Sequence, residues 1–298
     1  MLDTSSTRSD RHGHASTVAG GSAVASPVYT IGSDAAERDR LRSQSDELHE
    51  HTEALLEHVG IQRGWRVAEV ACGPRGVLER LAQRVGPTGT VTGLDINPTH
   101  VTQAREHVTS LGLGNVSVIE ADARQTALPA SSFDLVYARF ILINIPDPQA
   151  VVAEMVRLVR PGGWVACEEA DGGAMLCHPP HPAYTRLNTT FRTLYLHDGA
   201  DIHTGRRLPE LLDAAGLLDI GVEARADVPP PGHPRRTVML DILRAMRSKI
   251  IEQRLLHGAE LDRLDRDARE HLGDPHTLVM PHLSFMAWGR KPDQPPTA

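Results

Sequence analysis

Residues 67–76 read V-A-E-V-A-C-G-P-R-G, and residues 90–98 read T-V-T-G-L-D-I-N-P. The apolar run from Arg66 to Ala71 predicts a short strand. It feeds a turn of small residues, Cys72-Gly73-Pro74-Arg75-Gly76, and then a helix over Val77–Val85 with Leu78, Leu81, Ala82 and Val85 facing inward. Small residues let the backbone approach a ligand, and a helix start offers N–H groups that have no acceptor within the helix. The second run closes on Asp95, whose carboxylate can accept hydrogen bonds from two ribose hydroxyls.

Ala71, Gly73 and Gly76 fit G-x-G-x-x-G with the first glycine replaced, so this pattern alone leaves open both a dinucleotide fold and an ordinary strand–turn–helix corner. The segments beyond Asp95 separate them. Residues 116–123, V-S-V-I-E-A-D-A, predict a third strand ending in Asp122, and residues 133–138, F-D-L-V-Y-A, a fourth. Residues 146–164 predict an amphipathic helix halted by Pro161-Gly162-Gly163 ahead of a fifth strand, Trp164 to Glu168. The order E-V-A-C-G-P, G-L-D, E-A-D-A, F-D-L-V and L-V-R-P-G-G resembles the class I S-adenosylmethionine-dependent methyltransferases, above all bacterial enzymes that methylate small molecules in secondary metabolism. The likeness spans roughly Tyr29 to Glu169. It implies a Rossmann-like α/β fold: a doubly wound seven-stranded sheet, mostly parallel with an antiparallel last strand, plus a helical cap.

The resemblance also implies a binding set. Glu69 would sit near the ammonium group of S-adenosylmethionine, with Ala71, Cys72 and Gly73 along its methionine portion and Gly76 giving the turn its freedom. Asp95 would hold the ribose and Ile96 would pack on adenine. Asp122 would accept from the adenine amino group while Ala123 N–H donates to a ring nitrogen. Arg139, at a strand end, and Gln44, from the N-terminal segment, complete the set. Ala71 and Arg75 stand where the family often has glycine, and Asn144 where relatives often carry histidine. A nicotinamide cofactor could also use Asp95, but it gives Asp122 no task, and no hydride-transfer residues are evident.

A sulfonium methyl donor needs neither metal nor covalent enzyme intermediate. Positioning and exclusion of water supply the acceleration, and a base is needed only for a protonated, weakly acidic nucleophile. Glu169 and His178 are the expected catalytic residues, with Asp171, His181 and His197 as further base candidates. Tyr29, Asn144, Asp171, His181 and Tyr184 are expected at the substrate. His178 and His181 form H-x-x-H, yet the intervening Pro-Pro prevents a helical ligand pair and no third metal ligand is evident, so no metal is expected. Tyr184, Phe191 and Tyr195 share one predicted helix, either as a packed face or as a cradle for an indole or phenol.

Bulk composition agrees with one soluble enzyme. Among 298 residues, 38 acids against 31 bases give a net charge of −7, unlike the basic footprint of a nucleic-acid binder. Three cysteines without framework spacing fit a reducing cytoplasm, and no stretch is apolar and long enough to span a membrane. Residues 1–27 lack the apolar centre of a signal peptide and read as a disordered tail. A helical lid (28–63) precedes the cofactor-binding core (64–176). Next come a cap insertion (177–204), a core helix and strand (205–228), a helical insertion (229–277) and the last strand and tail (278–298). Long helical patterns cover 235–256 and 260–272, and the apolar run 278–288 contains the last strand. The expected partner is a small-molecule substrate, with no nucleic acid and no membrane, in a homodimer. Methylation of a quinone or a macromolecule, or a non-catalytic binding protein that kept the fold, are the alternatives.

Overall fold

The strands alternate between two buried faces, and this alternation builds the sheet. In the computed structural model, which describes residues 48–293, α1 (His49–Val59) precedes β1 (Arg66–Val70), α2 (Leu78–Val85), β2 (Thr90–Asp95), α3 (Pro98–Ser110), β3 (Val116–Glu120) and β4 (Phe133–Arg139). Then come α4 (Pro148–Leu158), β5 (Val159–Asp171), β6 (Leu176–His178), α5 (Pro182–His197), α6 (Thr204–Ala214) and β7 (Leu218–Ala226). The chain closes with α7 (Val238–Ala245), α8 (Arg247–Glu252), α9 (Gly258–Gly273), β8 (Leu278–Met280) and β9 (Leu283–Arg290). The main sheet has the order β3-β2-β1-β4-β5-β9-β7. Strands β1 to β5 are parallel, and β9 runs antiparallel to both its neighbours.

Val67, Leu135 and Tyr137 point to one face, where Leu55 and Leu56 of α1, Leu78 and Leu81 of α2 and Val101 of α3 cover them. Ala68, Val136 and Ala138 point to the other, against Val151 and Met155 of α4 and Leu208 and Leu212 of α6. Helices on both faces of a parallel sheet are the solution that buries period-two strands on both sides. A third cluster stands apart and forms the cap: Leu187, Phe191 and Leu194 of α5, Leu240 and Leu243 of α7, Ile250 of α8 and Leu261 and Leu264 of α9.

Three elements differ from expectation. Helix α4 does end before the Pro-Gly-Gly, but Pro161-Gly162-Gly163 lies inside β5, where the pairing with β4 shifts between Phe133 and Leu135. This is a bulge, and it needs glycine: Gly162 has φ +70°, and a Cβ on Gly163 would lie 2.7 Å from the Asp134 carbonyl oxygen. The pattern over 235–256 breaks into a 3₁₀ turn (Pro234–Thr237), α7 and α8, so that Leu243 and Ile250 can face the same cap core. The run 278–288 also splits. Its first part, β8, pairs with β6 in a separate ribbon, and only β9 joins the sheet. Among the described residues no helix is long and apolar enough to cross a membrane, and Cys72, Cys167 and Cys177 are free thiols.

Candidate active site

A cavity opens at the carboxyl ends of the parallel strands, the location at which wound sheets bind ligands. Its first wall is the turn after β1. Ala71, Gly73 and Gly76 have φ of 56°, 60° and 58°. Arg75 is not among the positive-φ residues, so Gly76 supplies the freedom that the family places one position earlier. Gly76 is also required by proximity, because a Cβ there would lie 2.5 Å from Glu69 Oε1 and 2.8 Å from the Cys72 carbonyl oxygen. The Val77 N–H donates to Glu69 Oε1 and Oε2 at 2.9 and 3.1 Å, which ties the carboxylate to the start of α2.

The second wall is the end of β2. Asp95 is buried and accepts from Gly73 N–H (Oδ2, 2.9 Å) and Asn97 N–H (Oδ1, 2.9 Å), with His100 Nδ1 3.5 Å from Oδ1. The carboxylate therefore links the glycine turn to the next helix while lining the cavity. Ile96, beside it, leaves 36% of its surface uncovered on this wall, an apolar surface suited to a flat ring. Beyond β3, Asp122 is gripped by its own turn: Arg124 donates from the backbone N–H and Nε to Oδ1 (2.9 and 3.0 Å) and from Nη2 to Oδ2 (2.6 Å). These bonds hold the Asp122 carboxyl below the usual range. Ala121 and Ala123 flank it in the cavity wall.

Arg139 lines the cavity at the end of β4, and its charge acts on both Glu69 and Glu168. Burial raises Glu69 to about 8, against the pull of the Val77 N–H and the Arg139 charge. Beneath, Glu168 Oε2 accepts from Tyr137 Oη and from Thr52 Oγ1 of α1, each at 2.9 Å.

The loop after β4 turns sharply at Phe140, a non-glycine residue at φ 54°. Asn144 Nδ2 donates to the Phe140 carbonyl at 2.7 Å, and Leu142 N–H donates to Glu169 Oε1 at 2.7 Å, which together hold the turn. From the cap, Tyr195 Oη donates to Asn144 Oδ1 at 3.3 Å, and Phe191 packs on Tyr195 with ring centroids 4.6 Å apart. Both rings line the cavity with Met175, Val238, Ile242 and His282. The cavity thus has a carboxylate-rich end over β1 to β3 and an apolar, aromatic end under the cap.

Glu69, Ala71, Cys72, Gly73, Gly76, Asp95, Ile96, Asp122, Ala123, Arg139 and Asn144 thus meet in one cavity. Gln44 and Tyr29 lie outside the described residues. Five expected site residues line other places. Glu169 is fully buried, and its carboxylate is occupied by the backbone N–H groups of Leu142 and Ile143, so it shapes a loop and is not presented as a base. Asp171, also fully buried, accepts from Gly173 N–H and pairs with Arg206. His178 is exposed on the cap ribbon. His181 stacks on His271 at 4.6 Å, and Tyr184 is packed in the cap core. Glu169 and Asp171 are absent from the cavity wall, because nearness to a strand end does not fix side-chain direction. Among the described residues no group of three or more His, Cys, Asp or Glu could hold a metal.

Sequence reasoning missed Phe140, His100, Arg124 and His282. Phe140 directly follows a strand end and was legible in principle. His282 lies within the apolar run 278–288, read only as containing the last strand, and carried no signal.

A family profile described as "Methyltransferase domain" matches residues 67–163. Demethylmenaquinone methyltransferase of Geobacillus kaustophilus is 38% identical over 117 residues, 39% of this chain and 50% of that protein. The demethylmenaquinone methyltransferase of Geobacillus stearothermophilus is 31% identical over 181 residues, 57% of this chain and 77% of that protein. The chain spans about half the length of several of the curated relatives it matches. Phosphoethanolamine N-methyltransferase 2 of Haemonchus contortus, solved with phosphomonomethylethanolamine and S-adenosylhomocysteine, shares the fold at a TM-score of 0.53 and 19% identity, covering 82% of this chain and 52% of that one. The chain belongs to the class I S-adenosylmethionine-dependent methyltransferases. The cradle fits the methyl donor of that family: the glycine position that a Cβ would fill and the three strand-end carboxylates face one cavity.

Proposed function

We propose that this chain methylates a small aromatic molecule at carbon, nitrogen or oxygen, using S-adenosylmethionine. One observation carries the reading: Glu69, Asp95 and Asp122 open into the same cavity as Phe191 and Tyr195 of the cap. When bound, S-adenosylmethionine supplies an electrophilic methyl group on a sulfonium. Asp95 and Asp122 would accept from the ribose and the adenine amino group, Ile96 would cover the ring, and Glu69 would face the ammonium. The cap rings would orient the acceptor and keep water out, so that positioning supplies most of the rate. Neither Glu169 nor His178 lines the cavity, so neither is offered as the base in this reading.

A second reading, methylation of a quinone ring, is favoured by the activity that the relatives' names carry. The free thiols support a cytoplasmic enzyme, and a homodimer is part of the proposal, tested by light scattering. Calorimetry with S-adenosylhomocysteine, then radiolabelled methyl transfer to phenols, indoles, secondary-metabolite scaffolds and demethylmenaquinone, tests the function. Absence of any binding heat would defeat it. Binding without turnover on every acceptor would point to a ligand-binding protein on an enzyme fold.

A further inference from the structure

Not every polar residue in the cavity wall is assigned to the methyl donor. His282 stands between β8 and β9, is only 6% exposed, and lines the cavity beside Phe140, whose ring meets it edge-on at 6.1 Å and 80°. Its Nε2 lies 3.4 Å from Arg235 Nη2. A guanidinium has donors only, so Nε2 must be the acceptor, and the hydrogen of the neutral ring sits on Nδ1. The guanidinium is oriented in turn: Nη1 donates to Asp227 Oδ2 at 2.6 Å, and Asp227 Oδ1 lies 3.3 Å from His51 Nε2 of α1. Burial, reinforced by the Arg235 charge and by His51, pushes His282 down to about 3, while Asp227 and Asp171 pull the other way. The ring is neutral at physiological pH. Among the described residues no group bonds its Nδ1.

A neutral imidazole with a fixed tautomer is a weak base and a ready donor. His282 shares the cavity wall with the apolar Phe140, Val238 and Ile242, so a ligand seated there is the group that can supply an acceptor for this N–H. We propose that His282 is a substrate-binding residue whose Nδ1–H donates to an oxygen acceptor, a carbonyl or a phenolate, on the flat molecule held under the cap. The proposal rests on the methyl-transfer reading above and names the substrate's chemistry: an aromatic ring carrying an oxygen acceptor. A site built to bond such an oxygen rejects the analogue that lacks it, because the donor is then left unpaired.

The test is calorimetric titration of 1-tetralone, an aromatic ketone, and of tetralin, its oxygen-free counterpart, into the full chain with and without S-adenosylhomocysteine. The wild-type protein should prefer the ketone by about fivefold. His282→Phe should erase that preference while leaving tetralin affinity unchanged, and His282→Asn, whose amide N–H takes the place of Nδ1–H, should restore it. A preference that survives in His282→Phe, or equal wild-type affinities, would overturn the assignment. S-adenosylhomocysteine should bind His282→Phe as it binds wild type. If it fails to bind wild type, the methyl-transfer reading falls, and the ketone preference measured without it still decides the role of His282.

Discussion

Asp95 carries two duties, and they differ in kind. Its oxygens accept from Gly73 and Asn97 N–H groups, and the same carboxylate faces the cavity. Asp95→Ala should therefore weaken S-adenosylhomocysteine binding by about a hundredfold, the loss of two charge-assisted hydrogen bonds, as read by calorimetry. Asp95 and the glycine turn were legible because backbone constraint and chemistry fall on adjacent residues there. Glu169 was not, since only the fold shows that its oxygens are consumed by the Leu142 and Ile143 N–H groups. Burial holds Glu169 at about 8, well above an unfolded glutamate, so the folded protein binds the proton more tightly than the unfolded chain. The stability it contributes is full below about 4.5 and is lost as pH rises through about 8. Urea unfolding of wild type and Glu169→Gln across that window should show the wild type losing stability relative to the variant as pH increases.

At the scale of elements, α1 is fastened to the sheet by buried polar contacts of Thr52 as well as by its leucines. Thr52 Oγ1 donates to Glu168 Oε2 behind the cavity wall. Thr52→Val keeps the shape and removes the donor, so it should cost about 1–3 kcal/mol in urea unfolding. The central strands and helices were readable because each buries a regular period. The bulge in β5 and the split of residues 278–288 were not, because the first depends on pairing with β4 and the second on which distant strand each half meets. Local sequence records apolarity, and pairing decides its use.

At the scale of the molecule, the cap has its own apolar cluster, separate from the two that sandwich the sheet. A substrate under the cap would add contacts between clusters that otherwise meet through a few seams, among them Tyr195 on Asn144. Backbone hydrogen exchange in α5 should slow when S-adenosylhomocysteine and an accepted substrate are both present, and less with the nucleoside alone. Equal protection by either condition would show that the cap does not respond to the acceptor. The fold and most of the donor end of the cavity could be reasoned from residues 67–169, whereas the acceptor end is assembled from segments more than a hundred residues apart.

The ribbon strand β8 and the sheet strand β9 are separated only by Pro281 and His282. The polypeptide crosses from one architectural unit to the other inside two residues, and the crossing point faces the chamber. Anyone exchanging this lid for that of another enzyme must choose a splice site there. A cut before residue 282 keeps the imidazole with the sheet, and a cut after it sends the imidazole away with the lid. Chimaeras differing by that single junction would reveal whether acceptor preference is inherited from the roof or from the floor.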